Sequence, residues 1–461
     1  MTKQKATLIR GGWVVLGQTV SKQDVLVQGE TISALGDLSG MKTDIEIEAD
    51  GLVVLPGGVD THVHFNDEFM GTVSVHDYYS GTLAAAYGGT TTVIDFSNQA
   101  QGESLMQTIQ NKKEEAQGRA LIDWGVHPVI TQAHSETFDE IPLVVEEGAP
   151  TIKCYMTYRE EGIMTELDDL RRILSRLKDV GGMLMVHAED NDMAEQSIPR
   201  FIDQGLTEAI YHAESKPPEC EEKAIRQGIE IARETGGRLF VVHLASDEGL
   251  KLISEARAKG VDVLAETCTH YLVFTDDMLK RDDGIKWICS PPLRSASIQD
   301  ALWSGLQDGN ICQVSSDDSA FSWEAKILGK DRFDKCPNGL PGVETRLSVL
   351  YSEGVAKGRL SLPRFVELIS TIPARLFGLA PKKGSLSPGS DADIVLLDPN
   401  QKWIMNQDSL HMATDWSPFE NAEMTGKIIN VLSRGELIID RDRCLAEKGR
   451  GRYLHRRLKV M

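Results

Sequence analysis

Several common features are missing from this 461-residue sequence, and each absence excludes a class of protein. No apolar run approaches membrane-spanning length, and no G-x-G-x-x-G or P-loop motif supports nucleotide binding. The seven cysteines include no C-x-x-C pair, and an odd, dispersed set favours reduced thiols over a disulfide framework. An excess of positive charge is also absent, since the net charge of −20 disfavours nucleic acid and anionic membranes as partners.

The amino terminus lacks the apolar segment of a signal peptide, because residues 1–5 lead directly into a strand-like run. Apolar residues make up 41% of the chain and charged residues 26%, which is typical of a soluble globular protein. We therefore expect a soluble, cytoplasmic protein. Its length leaves room for one large barrel-type domain and a smaller one.

Short β segments separated by turn residues occur at both ends of the chain. The amino-terminal segments are predicted at 6–20, 25–28, 31–34 and 45–48, and the carboxyl-terminal ones at 384–391, 392–397, 427–433 and 436–439. We predict that residues 1–51 and 380–440 complete one small β-sandwich domain. Residues 441–461 form a tail that is basic at its end, and either a frayed terminus or an arm contacting a neighbouring subunit fits that composition.

Between these regions, strand-like and helical patterns alternate. Eight strand-like runs are predicted at 52–64, 90–96, 121–130, 151–158, 183–188, 239–245, 261–268 and 311–317. A helical pattern opens at 165–168 with a sequence that resembles a capping box, and its apolar face ends before Gly181 and Gly182. Eight such alternations within about 300 residues predict a (β/α)₈ TIM barrel over residues 52–379.

Candidate metal ligands follow the ends of these predicted strands. His62 and His64 lie two residues apart in one run, so their imidazoles face the same side. A single histidine is more often structural than a ligand. Here, however, corresponding positions at one rim of the barrel carry a whole series of candidates. In chain order the rest of that series is Lys153, His187, His243 and Asp317.

Lys153 is the unusual member, because an ammonium group repels metal ions. Carboxylation of its ε-nitrogen would instead create an anion with two oxygens, which could bridge two metal ions about 3.5–4 Å apart. The alternatives are a salt bridge or a Schiff base, although a Schiff base needs no ring of histidines.

Ten stretches that together span almost the whole chain carry a family resemblance. They are GGVDTHVHF (57–65), DYYSGTLAAAYGGTTTVIDF (77–96), IKCYMTY (152–158), MVHAED (185–190), VVHLAS (241–246), ETCTHYL (266–272), CSPPLR (289–294), SSDDSAFS (315–322), CPNGLPGVETR (336–346) and GSLSPGSDADIVLLDP (384–399). On these stretches the chain resembles the cyclic amidohydrolases, and within them the hydantoinase/dihydropyrimidinase group.

The resemblance implies two zinc ions per subunit, bridged by N6-carboxylated Lys153. One ion would be held by His62, His64 and Asp317, and the other by His187 and His243. The implied reaction is hydrolytic opening of a small cyclic ureide to an N-carbamoyl amino acid, in a homotetramer.

The same resemblance assigns roles in this reaction. Asp317 would act as general base and then acid, and the hydroxyl of Tyr158 would donate to the developing oxyanion. Backbone groups of Ser290 and Asn338 would hold the imide edge of the substrate ring.

Two rival activities and one rival class fit less well. Asn66 stands where dihydroorotases carry an arginine, and allantoinases lack the tyrosine matched by Tyr158, although allantoinase remains the main alternative. Non-enzymatic scaffold relatives have generally lost metal ligands, whereas every ligand position is filled here. Asp318 follows Asp317, and because adjacent strand residues face opposite sides, we expect its carboxylate to point away from the metals.

Two loops, at 65–72 and 156–165, are predicted to contact the exocyclic group of the substrate. Phe65, Phe69 and Met70 in the first loop, with Ile163 and Met164 in the second, make this surface apolar. These side chains either form a pocket for aromatic or aliphatic 5-substituents or pack the loops down.

Overall fold

The computed structural model describes residues 5–459 and contains a barrel and a separate mixed sheet. The strands, numbered along the chain, are β1 Ala6–Leu16, β2 Thr19–Gln28, β3 Thr31–Gly36, β4 Ile45–Glu48, β5 Val53–Pro56, β6 Gly58–Val63, β7 Glu68–Phe69, β8 Thr72–Val73, β9 Thr90–Asn98, β10 Asp123–Val129, β11 Thr151–Tyr155, β12 Met183–His187, β13 Arg238–Val241, β14 Val263–Cys268, β15 Gln313–Ser315, β16 Ile394–Met405, β17 Ala422–Ser433, β18 Glu436–Asp440 and β19 Arg443–Cys444.

The helices surround the barrel and are numbered in the same way. They are α1 Tyr78–Tyr87, α2 Leu105–Ala116, α3 Ser135–Glu146, α4 Leu167–Asp179, α5 Asn191–Asp203, α6 Ile210–Ser215, α7 Pro218–Thr235, α8 Asp247–Ala258, α9 Thr269–Val273, α10 Ala296–Asp308, α11 Trp323–Lys326, α12 Arg346–Leu350, α13 Leu362–Val366 and α14 Ile372–Leu376. No helix within residues 5–459 combines the length and apolar character needed to cross a bilayer.

Eight parallel strands form the barrel, in the order β15, β14, β13, β12, β11, β10, β9 and β6. The backbone closes the ring between its first and last strands, because the amide of His64 donates to the carbonyl of Asp318 at 2.9 Å. The TIM barrel and the separate sheet built from both termini confirm the predicted fold class.

The helices follow the predicted apolar spacing closely. In α4 the buried positions are Leu170, Ile173, Leu174 and Leu177, and the chain turns through Gly181 at φ +71°. The predicted capping box is wrong, because Glu166 is the N-cap residue and its side chain makes no capping hydrogen bond.

The terminal sheet joins β1–β5 to β16–β19, with β5 hydrogen-bonded between β1 and β16. The predicted run at 52–64 therefore divides into two strands that belong to different sheets. The division falls at Gly57, where a Cβ atom would lie 2.1 Å from Oγ1 of Thr91. The segment predicted as a strand at 384–391 is not one, and β16 begins only at Ile394.

A buried ionic cluster connects this sheet to the amino-terminal end of the barrel. Lys383 Nζ lies 2.7 Å from a carboxylate oxygen of Asp123, the first residue of β10, and 2.8 Å from Asp393, which precedes β16. Asp391 is a third partner at 3.0 Å. These carboxylates compensate the burial of the ammonium group.

The carboxyl-terminal tail packs on its own barrel. Tyr453 forms a β-bridge with Trp124 near the start of β10, and Leu454 and Leu458 pack against the apolar cluster within the barrel. Arg456 is fully buried, and its guanidinium donates to Oγ1 of Thr151 and to the carbonyl of Val126. The tail therefore closes the amino-terminal end of the barrel.

Candidate active site

The six predicted metal ligands meet at the carboxyl-terminal ends of the barrel strands. They are buried to 7% exposure or less, except for the Asp317 side chain, which is 14% exposed. A cavity of about 50 Å³ opens between them and the loop residues that follow. These six residues are His62 on β6, His64 just after it, Lys153 on β11, His187 at the end of β12, His243 after β13 and Asp317 after β15.

The ligand atoms of these residues lie close together. Oδ1 of Asp317 is 2.9 Å from Nε2 of His62 and 3.6 Å from Nε2 of His64. The ring centroids of His187 and His243 are 4.5 Å apart. Ligand atoms of His62, His243 and Asp317 all fall within 4.8 Å of one another.

Three of the four histidines use their other ring nitrogen to contact a carboxylate. Glu266 lies 2.6 Å from Nδ1 of His62, and Asp67 lies 3.0 Å from Nδ1 of His64. On β12, Nε2 of His187 lies 2.7 Å from Glu189. Such contacts fix ring orientation and leave the opposite nitrogen available to a metal.

Charges within the site shift the pKa values of its members. Burial opposes ionisation of Asp317, but His62 and His64 outweigh it and hold the pKa of the carboxyl well below its ordinary value. Burial also opposes the charged form of His64, yet hydrogen bonds to Asp317 and Asp67 raise its pKa to about 9. Asp317 is accordingly ionised at neutral pH.

Lys153 lies among these groups without a polar partner of its own. Its ammonium makes no hydrogen bond or ion pair within residues 5–459, and it lies 4.7 Å from the ring centroid of Phe96. Burial lowers its pKa to about 8, although Asp317 and Glu266 oppose the shift.

Backbone strain is concentrated around the cleft. Eight non-glycine residues within the described chain have positive φ, and five of them lie at or beside this site. Such conformations cost free energy and persist where surrounding structure imposes them. The five are Asn66, Met70, Tyr158, His243 and Asp317.

Comparison with known proteins identifies the architecture. A model described as the amidohydrolase family matches residues 53–438. The chain belongs to the amidohydrolase family. It is 39% identical over 458 residues to a D-hydantoinase from Geobacillus stearothermophilus, covering 97% of this chain and 96% of that one. It is 42% identical over 454 residues to a D-phenylhydantoinase from Escherichia coli O1:K1 / APEC, covering 98% of each.

Solved structures agree with this assignment. The structure of a dihydropyrimidinase from Brevibacillus agri NCHU1002 superposes with a TM-score of 0.96 at 39% identity, covering 99% of this chain and 100% of that one. An L-hydantoinase from Arthrobacter aurescens superposes with a TM-score of 0.91 at 29% identity, over 98% and 100% of the two chains. The protein is therefore a hydrolytic enzyme of the cyclic amidohydrolase type, which excludes the scaffold alternative.

Members of the amidohydrolase family generally use metal ions, and the residues here fit such a group. Nδ1 of His243 is buried without a hydrogen-bond partner among the described residues, which is unusual for a polar atom in a protein interior, and the buried Nε2 of His62 lies against the carboxylate of Asp317. The donor set of imidazole nitrogens and a carboxylate suits zinc.

The predicted substrate contacts line the outer side of the cleft. Nδ2 of Asn338 donates to the hydroxyl of Tyr158 at 3.3 Å, and Oγ of Ser290 donates to Glu189 at 2.7 Å. Lys216, which sequence reasoning missed, is buried and donates to the same Ser290 Oγ at 2.8 Å. All three predicted residues line the 50 Å³ cavity.

The three apolar residues of the first loop lie in three different surroundings. Phe69 lines the cavity, with its ring 5.1 Å from that of Tyr158, and Met70 lines an adjoining chamber. Phe65 does not reach the cleft, because its side chain is fully buried against Tyr78 and the backbone of Gly81. Gly81 permits this contact, since a Cβ there would lie 2.5 Å from the ring.

Asp318 points away from the ligand group, as predicted, although both carboxylates lie beyond the end of β15 and Asp317 has φ +48° instead of strand geometry. Its Oδ2 lies 2.7 Å from Nδ1 of His76, and its Oδ1 accepts the amides of Gly342 and Val343. Two adjacent carboxylates therefore have separate surroundings, and only Asp317 belongs to the candidate metal site.

The acidic partners Asp67, Glu189 and Glu266 are also residues that sequence reasoning missed. Glu189 and Glu266 fall within quoted stretches beside ligand strands, so an acidic residue near each strand end was an available signal.

Proposed function

We propose that the protein opens the cyclic amide bond of hydantoins and dihydropyrimidines by hydrolysis, giving N-carbamoyl amino acids. Two zinc ions bridged by carboxylated Lys153 would serve this reaction. The observation that carries the proposal is the partnerless, buried Lys153 within a ring of four histidines and Asp317.

The metal ions would be held by His62, His64 and Asp317 on one side and by His187 and His243 on the other. When bound, they would activate water and polarise the scissile carbonyl. An uncarboxylated ammonium at Lys153 would be repelled by this group in a partly desolvated site. A carbamate would turn the same side chain into a bridging anion.

Residues of the chain would each perform a different part of the reaction. Asp317 would take a proton from the water that adds to the carbonyl carbon and return it to the leaving ring nitrogen. The Tyr158 hydroxyl would donate to the oxyanion that develops. Ser290 and Asn338 would hold the imide edge and so align the scissile bond.

A chamber of about 430 Å³ adjoins the cleft and shares Tyr158 and Asn338 with it. Met70, Ile198 and Phe333 contribute apolar surface to its wall, which also contains charged residues of the segments 159–161 and 332–335. We propose that it receives aromatic or aliphatic 5-substituents, and that the enzyme prefers the D enantiomer, as the names of its relatives indicate.

Replacement of the bridging lysine tests the metal arrangement. Lys153→Ala should lose one or both zinc ions and nearly all turnover while the circular dichroism spectrum stays that of the wild type. A short carboxylic acid should restore part of the rate by entering the vacated space. Lys153→Met is the matched control, because its side chain fills that space and should prevent rescue.

Two zinc ions per chain and normal turnover in Lys153→Ala would contradict the bridging role. Mass spectrometry under mild conditions should also find the added mass of a carboxyl group on wild-type Lys153.

A substrate panel tests the reaction itself. It should contain dihydrouracil, hydantoin, both enantiomers of 5-benzylhydantoin, and allantoin. We expect D-5-benzylhydantoin to be the best substrate. Preferential turnover of allantoin would instead favour an allantoinase, which the presence of Tyr158 in the cleft argues against.

A further inference from the structure

A second buried lysine lies beneath the substrate side of the cleft. Lys326, at the end of α11, is 0% exposed, and no carboxylate of the described chain lies within ion-pair distance of it. Its ammonium donates to the carbonyl of Ile288 at 2.8 Å and to the carbonyl of Pro337 at 2.9 Å. Burying a cation costs free energy that two neutral acceptors only partly offset.

The two carbonyls belong to the two loops that carry the proposed ring contacts. Ile288 lies two residues before Ser290, and Pro337 immediately precedes Asn338. The same Ile288 carbonyl also accepts the amide of Gly339 at 3.1 Å. The ammonium thus joins both loops close to Ser290 and Asn338.

Close packing holds the lysine in place. Gly329, just beyond α11, approaches Cys336 so closely that a Cβ on the glycine would lie 2.2 Å from that of the cysteine. Beyond the loops, Asn338 reaches the Tyr158 hydroxyl at 3.3 Å. A displacement of the second loop would therefore move Asn338, one of the two proposed ring contacts.

We propose that Lys326 is a positioning residue that holds Ser290 and Asn338 at the spacing needed to grip the imide edge of the substrate ring. This role rests on the proposed function, since it takes Ser290 and Asn338 as the ring contacts. A packing role alone would be filled by an apolar side chain of the same length, without the cost of a buried charge.

Lys326→Met retains length and apolar volume but removes both hydrogen bonds. We expect KM to rise about tenfold for hydantoin and for 5-benzylhydantoin alike, with kcat within about threefold of wild type, because ring binding is weakened in ground and transition states together. Zinc per chain should stay unchanged. Lys326→Gln retains one donor and should have an intermediate KM. Lys330→Met is the control, because Lys330 is exposed on the same segment.

Hydrogen–deuterium exchange gives a readout that needs no substrate. In Lys326→Met, exchange should accelerate in peptides covering 286–292 and 334–342 and nowhere else. Faster exchange throughout the chain, or a KM unchanged in an active enzyme, would overturn the positioning role. If Lys326→Met does not fold, measurements of KM and of hydrogen–deuterium exchange on Lys326→Gln test the positioning role instead.

The two proposals fail separately. A wild-type enzyme that opens none of the cyclic ureides refutes the proposed function, whereas unchanged exchange in both loops refutes the role of Lys326 whatever the substrate.

Discussion

The two ends of the barrel differ in whether the buried polar groups described above have partners. At the carboxyl-terminal end, Nδ1 of His243 is buried without a hydrogen-bond partner among the described residues, and non-glycine residues with positive φ cluster. At the amino-terminal end, Lys383 contacts three carboxylates and the terminal nitrogens of Arg456 donate to the barrel strands. At the carboxyl-terminal end the candidate ligand atoms remain available for chemistry. At the amino-terminal end the charged groups contribute to stability through their contacts.

This difference predicts which property of the enzyme each substitution should change. Changes to the candidate ligands and cavity-lining residues at the carboxyl-terminal end should alter turnover and metal content more than stability, whereas changes at the amino-terminal end should do the reverse. The four predictions below test that separation, from the largest expected effect to the smallest.

Asp317→Asn should lower kcat by at least about a thousandfold, because an amide is a weak ligand and cannot accept and return the proton. The melting temperature should stay close to that of the wild type. Steady-state kinetics and thermal denaturation measure these two effects, and zinc analysis gives the metal occupancy. Asp318→Asn is the neighbouring control, which should keep its zinc and lose stability, since it disturbs the buried contact with His76. Wild-type rates in Asp317→Asn at full metal occupancy would remove the carboxylate from the mechanism.

Arg456→Ala should reduce the free energy of unfolding by about 3 kcal/mol, since it leaves buried acceptors unpaired and opens a cavity. Zinc content and kcat/KM of the folded enzyme should not change. Denaturant titration provides the measurement. Arg457→Ala is the matched control, because that side chain is exposed. Equal loss of stability in both variants would mean that the buried guanidinium contributes nothing specific.

Phe69→Ala should change the preference between 5-benzylhydantoin and hydantoin several-fold, because its ring lines the cavity beside Tyr158. Phe65→Ala should instead lower the melting temperature, because its ring is buried away from the cleft and large-to-small core substitutions destabilise. Kinetics on both substrates and thermal denaturation separate the two residues. Equal loss of rate on both substrates in Phe69→Ala would show that the ring only supports the loop.

The smallest expected effect concerns Glu30, which joins the terminal sheet to the tail. A hydrogen bond from Arg452 lowers the pKa of this carboxyl from its ordinary 4.5. The stability that the ion pair of Glu30 with Arg452 gives to the folded state is therefore present above pH 4.5 and is lost as the pH falls below that value. Glu30→Gln should cost less than about 1 kcal/mol at pH 7, because the pair is largely exposed.

That cost should shrink as the pH is lowered. Denaturant titrations at pH 7 and pH 4 test it, and a difference that grows on acidification would show that the pair acts otherwise.

Much of the fold and the meeting of the six candidate ligands follow from the sequence, for a physical reason. Parallel strands in a barrel share one rim, so residues at successive strand ends such as His187 and Asp317 must meet. The opposite directions of Asp317 and Asp318 were also predicted, but alternation along a strand is not their cause, since β15 ends at Ser315 and Asp317 has φ +48°.

Other features depend on packing that no local pattern encodes. The apolar run at 52–64 reads as one strand, and only the fit of Gly57 against Thr91 shows where it changes sheets. Phe65 has the composition of a pocket residue, but its direction is decided by space next to Gly81 on α1. Partners such as Glu266 and His62 are too far apart in the chain for spacing to connect them.

The burial of Arg456 has a consequence for synthesis on the ribosome. The last barrel strand ends at Ser315, long before Arg456 is translated. At translation rates of about 5–20 residues per second, the intervening segment takes on the order of ten seconds to appear. Throughout that time the amino-terminal end of the nascent barrel is uncovered, and during the first part of it the amino-terminal strands also lack β16 as a partner.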